Sequence, residues 1–166
     1  MRESGPHTGE GQSKGLPMAR IRLHEQPGYE FHYSMTLQPR DINYGGHMGH
    51  DAIVALVGAG RAYLFHSIGL SEIDLGDGRT GIIMGDMAVN FKAEGHMFDE
   101  LRIDTHVGEF SRNGFRIFHR VTKGETLVAL AEGGFVTFDY SRGKIVSVPG
   151  TFLKALEEHG GGGVYG

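Results

Sequence analysis

The stretch Arg40-Asp41-Ile42-Asn43-Tyr44-Gly45-Gly46-His47-Met48-Gly49-His50-Asp51 gathers carboxylate, carboxamide and imidazole side chains in one short segment. A carboxylate can act as a general base toward water, and an imidazole as acid, base or metal ligand. A carboxamide only hydrogen-bonds, so Asn43 is neither a nucleophile nor a useful base. Asp51 falls where a helix should begin and reads in two ways there: as a base, or as an N-cap or first-turn acid, which stabilises a helix start by roughly 0.5–2 kcal/mol. For Asp41 the turn reading is the stronger one. His47 and His50 stand three apart beside Asp51, as metal ligands can, but no further clustered ligand completes the set, so neither a metal nor another cofactor is expected. Asp86 interrupts the apolar run Ile82-Ile83-Met84-Gly85-Asp86-Met87-Ala88-Val89. An unpaired buried carboxylate is costly, so Asp86 is expected to pair with Arg61, or else to face an apolar pocket as a second acid.

The elements that must position these residues follow from periodicity. Tyr29, Phe31, Tyr33, Met35 and Leu37 alternate with Glu30, His32, Ser34 and Thr36, which predicts a half-buried strand before the loop. After the loop, residues His50 to Ile68 predict a helix whose only formal charge beyond Asp51 is Arg61, and which is therefore buried on most of its circumference. Gly58 and Gly60 inside it each cost on the order of 1 kcal/mol relative to Ala, a cost that close approach of another backbone would offset. Extended segments follow at Gly81–Lys92, Glu100–Ser111, Phe115–Thr122, Thr126–Tyr140 and Lys144–Val148. Asn113-Gly114, Lys123-Gly124 and Arg142-Gly143 supply the hairpin turns, and a short amphipathic helix over Thr151–His159 closes the fold. Strand, helix, then an antiparallel meander is an α+β plan, best buried if the sheet curls around the helix. The outer edges of such a sheet invite pairing with a second copy.

Composition bounds the remainder. With 166 residues, 39% hydrophobic and 22% charged, the chain makes one domain. A net charge of -4 leaves no basic field for a phosphate backbone, so no nucleic-acid partner is expected. The absence of Cys excludes disulfides and thiolate chemistry. The longest apolar run, Ala52–Gly60, is too short to span a bilayer, and the amino terminus lacks the apolar stretch of a signal peptide; a cytoplasmic protein without a membrane partner is the expectation. Polar residues 1–20 read as a leader or tag, 21–159 as the domain and 160–166 as a glycine-rich tail. No P-loop or dinucleotide fingerprint occurs, since Gly58-Ala59-Gly60 lies inside the helix.

Over Tyr29–Val148 the element order and the loop Arg40–Asp51 resemble the hotdog-fold acyl-CoA thioesterases of the 4-hydroxybenzoyl-CoA thioesterase type, whose loop carries an Asp-x-Asp-x-x-Gly-His-Val-Asn-Asn pattern. Phe91-Lys92-Ala93-Glu94 with Asp99-Glu100-Leu101 is similar to the family's entry into its third strand. The resemblance implies a sheet of five to six antiparallel strands wrapped around one long buried helix. It also implies an acyl-CoA substrate, hydrolysis of its thioester, and a homodimer or homotetramer with the site shared between subunits. It assigns the N–H of His50 to the thioester oxygen, a task that suits a helix start, with Gly49 making room. His47 corresponds to the family's loop-ordering His. Lys92, Ser111, Arg112 and Arg116 fall near strand ends or a hairpin that in the family lies near the coenzyme A nucleotide, although each also reads as ordinary surface.

The catalytic acid is where the chain departs. The position three before Gly46, Asp in this branch, is Asn43; a second branch uses Asn there to orient water and adds an acid in the helix, where this chain has Gly58. The expected arrangement is therefore Asp51 as base and Asn43 orienting water, with Asp41 the alternative acid. Asp41-Ile42-Asn43 also matches the start of the Asp-x-Asn-Pro-x-His loop of hotdog enoyl-CoA hydratases, but Tyr44 replaces the Pro and His47 arrives one residue late. A helix-acid dehydratase finds no acid at Val57, Gly58 or Ala59. The missing acids also leave open a protein that binds acyl-CoA without turning it over.

Overall fold

In the computed structural model, which describes residues 19–160, the alternating segments form one antiparallel sheet. The elements in chain order are β1 (Phe31–Thr36), a 3-10 turn (Pro39–Asp41), α1 (His50–Ser67), β2 (Thr80–Phe91), β3 (Glu100–Ser111), β4 (Gly114–Lys123), β5 (Thr126–Asp139), β6 (Lys144–Ile145) and α2 (Gly150–Gly160). The strand order is β1-β3-β4-β5-β2, with β6 paired to the end of β5. The inner face of the sheet holds α1 and buries Leu101, Ile103, Val107, Ile117 and Val121 against Ile53, Leu56, Val57, Leu64 and Phe65. This is the hotdog arrangement. β2 is a long edge strand with no strand paired to its outer side among the described residues; at its start Ile82 N–H donates to the Glu72 carbonyl at 2.8 Å, and beyond that the edge is open. The leader read over residues 1–20 and the tail beyond 160 lie almost entirely outside the described residues.

Packing corrects four readings. α1 is buried along one face only: Val54 is 49% exposed and Tyr63 39%. The close approach that offsets a helical glycine applies to Gly60, where a Cβ would lie 2.6 Å from the Ile103 side chain, and not to Gly58, which faces open space. The β3–β4 hairpin turns on Arg112-Asn113 instead of Asn113-Gly114, because Gly114 is already paired with Ser111 and its Cα abuts the carbonyl of Phe135. β6 stops at Ile145, although Val146 N–H and Val148 N–H still donate to the carbonyls of Thr137 and Arg112.

Asp86 pairs elsewhere than expected. A bulge at Gly85 inserts one residue between the pairs Met84–Phe135 and Asp86–Gly134, which moves Asp86 to the outer face of the sheet. There Arg116 donates to it at 2.8 and 3.1 Å and to Glu132 at 2.9 Å. The pair lies flat over Gly134, where any side chain would collide with both partners. Arg61 binds Glu72 instead, at 2.7 Å, with its guanidinium over the Phe135 ring. On the inner face Thr105 and His119 are buried and hydrogen-bonded at 3.0 Å, and burial, together with the Arg61 charge, pushes the imidazole down to about 3.

Candidate active site

The loop between β1 and α1 is closed by its own backbone. Gly49 N–H donates to the carbonyl of Asp41 at 3.0 Å, Asn43 N–H to that of His47 at 2.9 Å, and Gly46 N–H to that of Asn43 at 3.0 Å; Ile42 and Met48 form an isolated antiparallel bridge. Gly46, at φ +84°, makes the tight reversal without strain. The carboxylate of Asp41 accepts the N–H of Gln38 at 2.8 Å and so closes the 3-10 turn. The side-chain oxygen of Asn43 accepts the N–H of Gly45 at 2.9 Å, an Asx turn that leaves the amide nitrogen without an acceptor among the described residues. His47 Nδ1 lies 3.3 Å from the Met48 carbonyl, and its Nε2 lies over Gly45.

These bonds deliver the helix start to one point. Gly49 is the N-cap of α1, in extended conformation and with no capping side chain. The space where a side chain at Gly49 would stand is bordered by the Asp51 carboxylate and, at 3.8 Å, by the Asn43 Cβ, so that a side chain there would strike Asp51 Oδ1. The first helical bond is donated by Ala52 to Gly49, and the N–H groups of His50 and Asp51 have no acceptor among the described residues. Free N–H groups at the positive end of an 18-residue helix, beside an exposed carboxylate and a carboxamide donor, can hold developing negative charge and activate water in one place.

The structure thus brings Asn43, Gly49, His50 and Asp51 together, with His47 ordering the loop and Asp41 bound into its turn. The four positions given to coenzyme A do not converge on them as one group. Lys92 follows β2 at the site end of the sheet and makes no ion pair among the described residues. Ser111, whose hydroxyl donates to the Gly114 carbonyl at 3.3 Å, and Arg112 sit at the far end of β3, about 40 Å from Glu100 for a 12-residue strand. Arg116 is engaged by Asp86 and Glu132. One residue went unnoticed in the sequence. The Gly95 carbonyl accepts the Met48 N–H at 2.7 Å, and a Cβ at Gly95 would stand 2.9 Å from Leu37, so this glycine sets the height of the loop over the core. Its signal was a glycine directly after Phe91-Lys92-Ala93-Glu94. Among the described residues no three metal-ligating side chains converge, and no helix is long and apolar enough to cross a membrane.

Residues 37–156 match the family described as the thioesterase-like superfamily. No curated protein matches the chain. Among solved structures, a 1,4-dihydroxy-2-naphthoyl-CoA thioesterase from Synechocystis is similar with a TM-score of 0.68 at 18% identity, covering 76% of this chain and 94% of that one. A gentisyl-coenzyme A thioesterase is similar with a TM-score of 0.66 at 17% identity, over 75% and 98%. A hypothetical protein of Staphylococcus aureus, solved in complex with CoA, is similar with a TM-score of 0.71 at 14% identity, over 82% and 88%. At these identities the likeness to solved structures establishes the fold.

Proposed function

The chain belongs to the thioesterase-like superfamily, and from that premise we propose that it hydrolyses the thioester of an acyl-CoA to the free acid and coenzyme A. Asp51 takes a proton from a water that Asn43 orients through its amide nitrogen. The water oxygen bonds to the thioester carbon while the carbonyl oxygen, becoming negative, is held by the N–H of His50. The C–S bond then breaks, and the thiolate leaves with the proton that Asp51 had taken. Removing one such oxyanion donor typically lowers kcat by about 10²–10³, so the helix start carries a large share of the catalysis. His47 and Asp41 keep the loop in shape. The observation that carries this reading is the meeting of Asp51, Asn43 and unaccepted helix N–H groups around Gly49.

In this reading the working unit is a homodimer, alone or as half of a tetramer, formed by antiparallel pairing of the open β2 edges. Such pairing places the far end of one sheet beside the site end of its partner, which is how Ser111 and Arg112 serve a coenzyme A whose thioester lies at the other subunit's Gly49. Lys92 serves from the site end. The carboxylates around Arg116 make it the weakest of the four cation assignments.

The test is release of free thiol from short, medium, long and aromatic acyl-CoAs, with binding followed in parallel. Hydrolysis of at least one of them is expected. Binding with no release from any would favour a second reading, an acyl-CoA binder that does not turn its ligand over, for which the absence of a carboxylate at Asn43 and Gly58 is the supporting observation.

A further inference from the structure

The outer face of the sheet carries a row of paired residues that crosses all five long strands. Asn90 of β2 pairs with Leu130 of β5, Leu130 with Arg120 of β4, Arg120 with Asp104 of β3, and Asp104 with His32 of β1. Residues 21–29, which precede β1 and have no regular secondary structure, follow this row. The side chain of Asn90 imitates a neighbouring strand: its oxygen accepts the Leu23 N–H at 2.9 Å and its nitrogen donates to the Ile21 carbonyl at 3.0 Å. At β4, Arg120 binds Glu25 at 3.2 Å and lies 4.6 Å from the centre of the Tyr29 ring. Tyr29 accepts the Gln26 N–H at 3.0 Å and so closes the loop between these anchors.

What lies beneath needs a cover. Leu130 and Phe118, on the face away from α1, are only 4% and 5% exposed, and Leu23 is 9% exposed. Asp104 is buried at the centre of the row, where Arg102 at 2.6 Å, His32 at 2.6 Å and Arg120 at 2.8 Å surround it. Burial pushes its carboxyl up, and these hydrogen bonds more than reverse that and hold it below the usual carboxylate range. An uncovered antiparallel face with Leu and Phe side chains is the surface against which another sheet packs. Release of residues 21–29 takes Glu25 and the Tyr29 ring away from Arg120 and leaves that cation at the centre of the face for an acidic side chain of a second copy.

We propose that residues 21–29 form a strap that keeps the outer sheet face closed to a second copy of this chain, so that copies join at the β2 edge and not sheet to sheet. The proposal rests on no reading of the activity. It is tested in the full chain with Leu23→Glu, which places a charge where the strap is buried, and with the milder Asn90→Ala. Hydrogen exchange and sedimentation are measured over a wide range of protein concentration. Exchange of the Leu23 and Gln26 amides, the two in 21–29 that have acceptors, is expected to be slow in the wild type and at least about tenfold faster in both variants, while α1 and β3–β5 stay protected and so report an intact fold. With the strap released, the sedimenting mass is expected to about double as concentration rises, whereas that of the wild type stays constant. Released strap residues with unchanged mass at every concentration would overturn the proposal. So would rapid exchange of the Leu23 and Gln26 amides in the wild type, or their continued protection in Leu23→Glu.

Discussion

Asp51 and Asn43 both border the space that a side chain at Gly49 would fill, and the glycine is what leaves that space open. Gly49 has a φ of -67°, which any residue adopts, so the need for glycine there is spatial and not conformational. Gly49→Ala is therefore expected to fold with nearly unchanged stability while swinging the Asp51 carboxylate away, with a fall in kcat of about tenfold or more, read by steady-state thiol release beside thermal unfolding. His119 makes a separate prediction. Its folded pKa of about 3 lies below the unfolded value of about 6.5, so below pH 6.5 the unfolded chain binds a proton that the folded one refuses. Stability should fall with decreasing pH across the window from 6.5 toward 3, by roughly 1 kcal/mol per pH unit. Denaturant titrations at pH 7, 6 and 5 check this, and His119→Gln, which cannot titrate, should flatten the slope. Neither Gly49's crowding nor His119's burial can be read from the residues alone, because both depend on which atoms the fold brings beside them.

At the scale of the element, alternation and turn residues were enough to place β1, α1 and the meander, because a period of two or of three to four apolar residues states which side is buried. Where that reading failed for Asp86, an extra residue had shifted the period. Strict alternation from Ile82 puts Asp86 inside the sheet, and the bulge at Gly85 puts it outside on Arg116, leaving Arg61 to Glu72. The strap escaped for a related reason: residues 21–29 have no period, and side chains of Asn90, Glu25 and Arg120 hold them. The two glycines of α1 separate the same way. Gly60→Ala is expected to destabilise the fold by about 1–3 kcal/mol, since the Ile103 side chain has to give way. Gly58→Ala, in open space, is expected to stabilise it by up to about 1 kcal/mol. Thermal unfolding of the two variants should move the midpoint in opposite directions.

For the whole molecule, the exposed side of α1, the β2 edge beyond Ile82, which no strand of the described residues covers, and the loop around Gly49 are the surfaces a second copy would meet. A dimer joined at β2 is expected to dissociate or weaken when Val89→Pro removes a donor that faces away from β5, with sedimentation reporting the monomer and activity falling together with the mass. The central claim, however, concerns one carboxylate. The most direct measurement is single-turnover thiol release from the best acyl-CoA by the wild type, Asp51→Ala and Asn43→Ala, with ligand binding by calorimetry on the same samples. Asp51→Ala is expected to bind acyl-CoA as the wild type does and to lose at least about a hundredfold in the chemical step, with Asn43→Ala losing less. Undiminished hydrolysis by a folded, ligand-binding Asp51→Ala protein would contradict the account and return the base to Asp41.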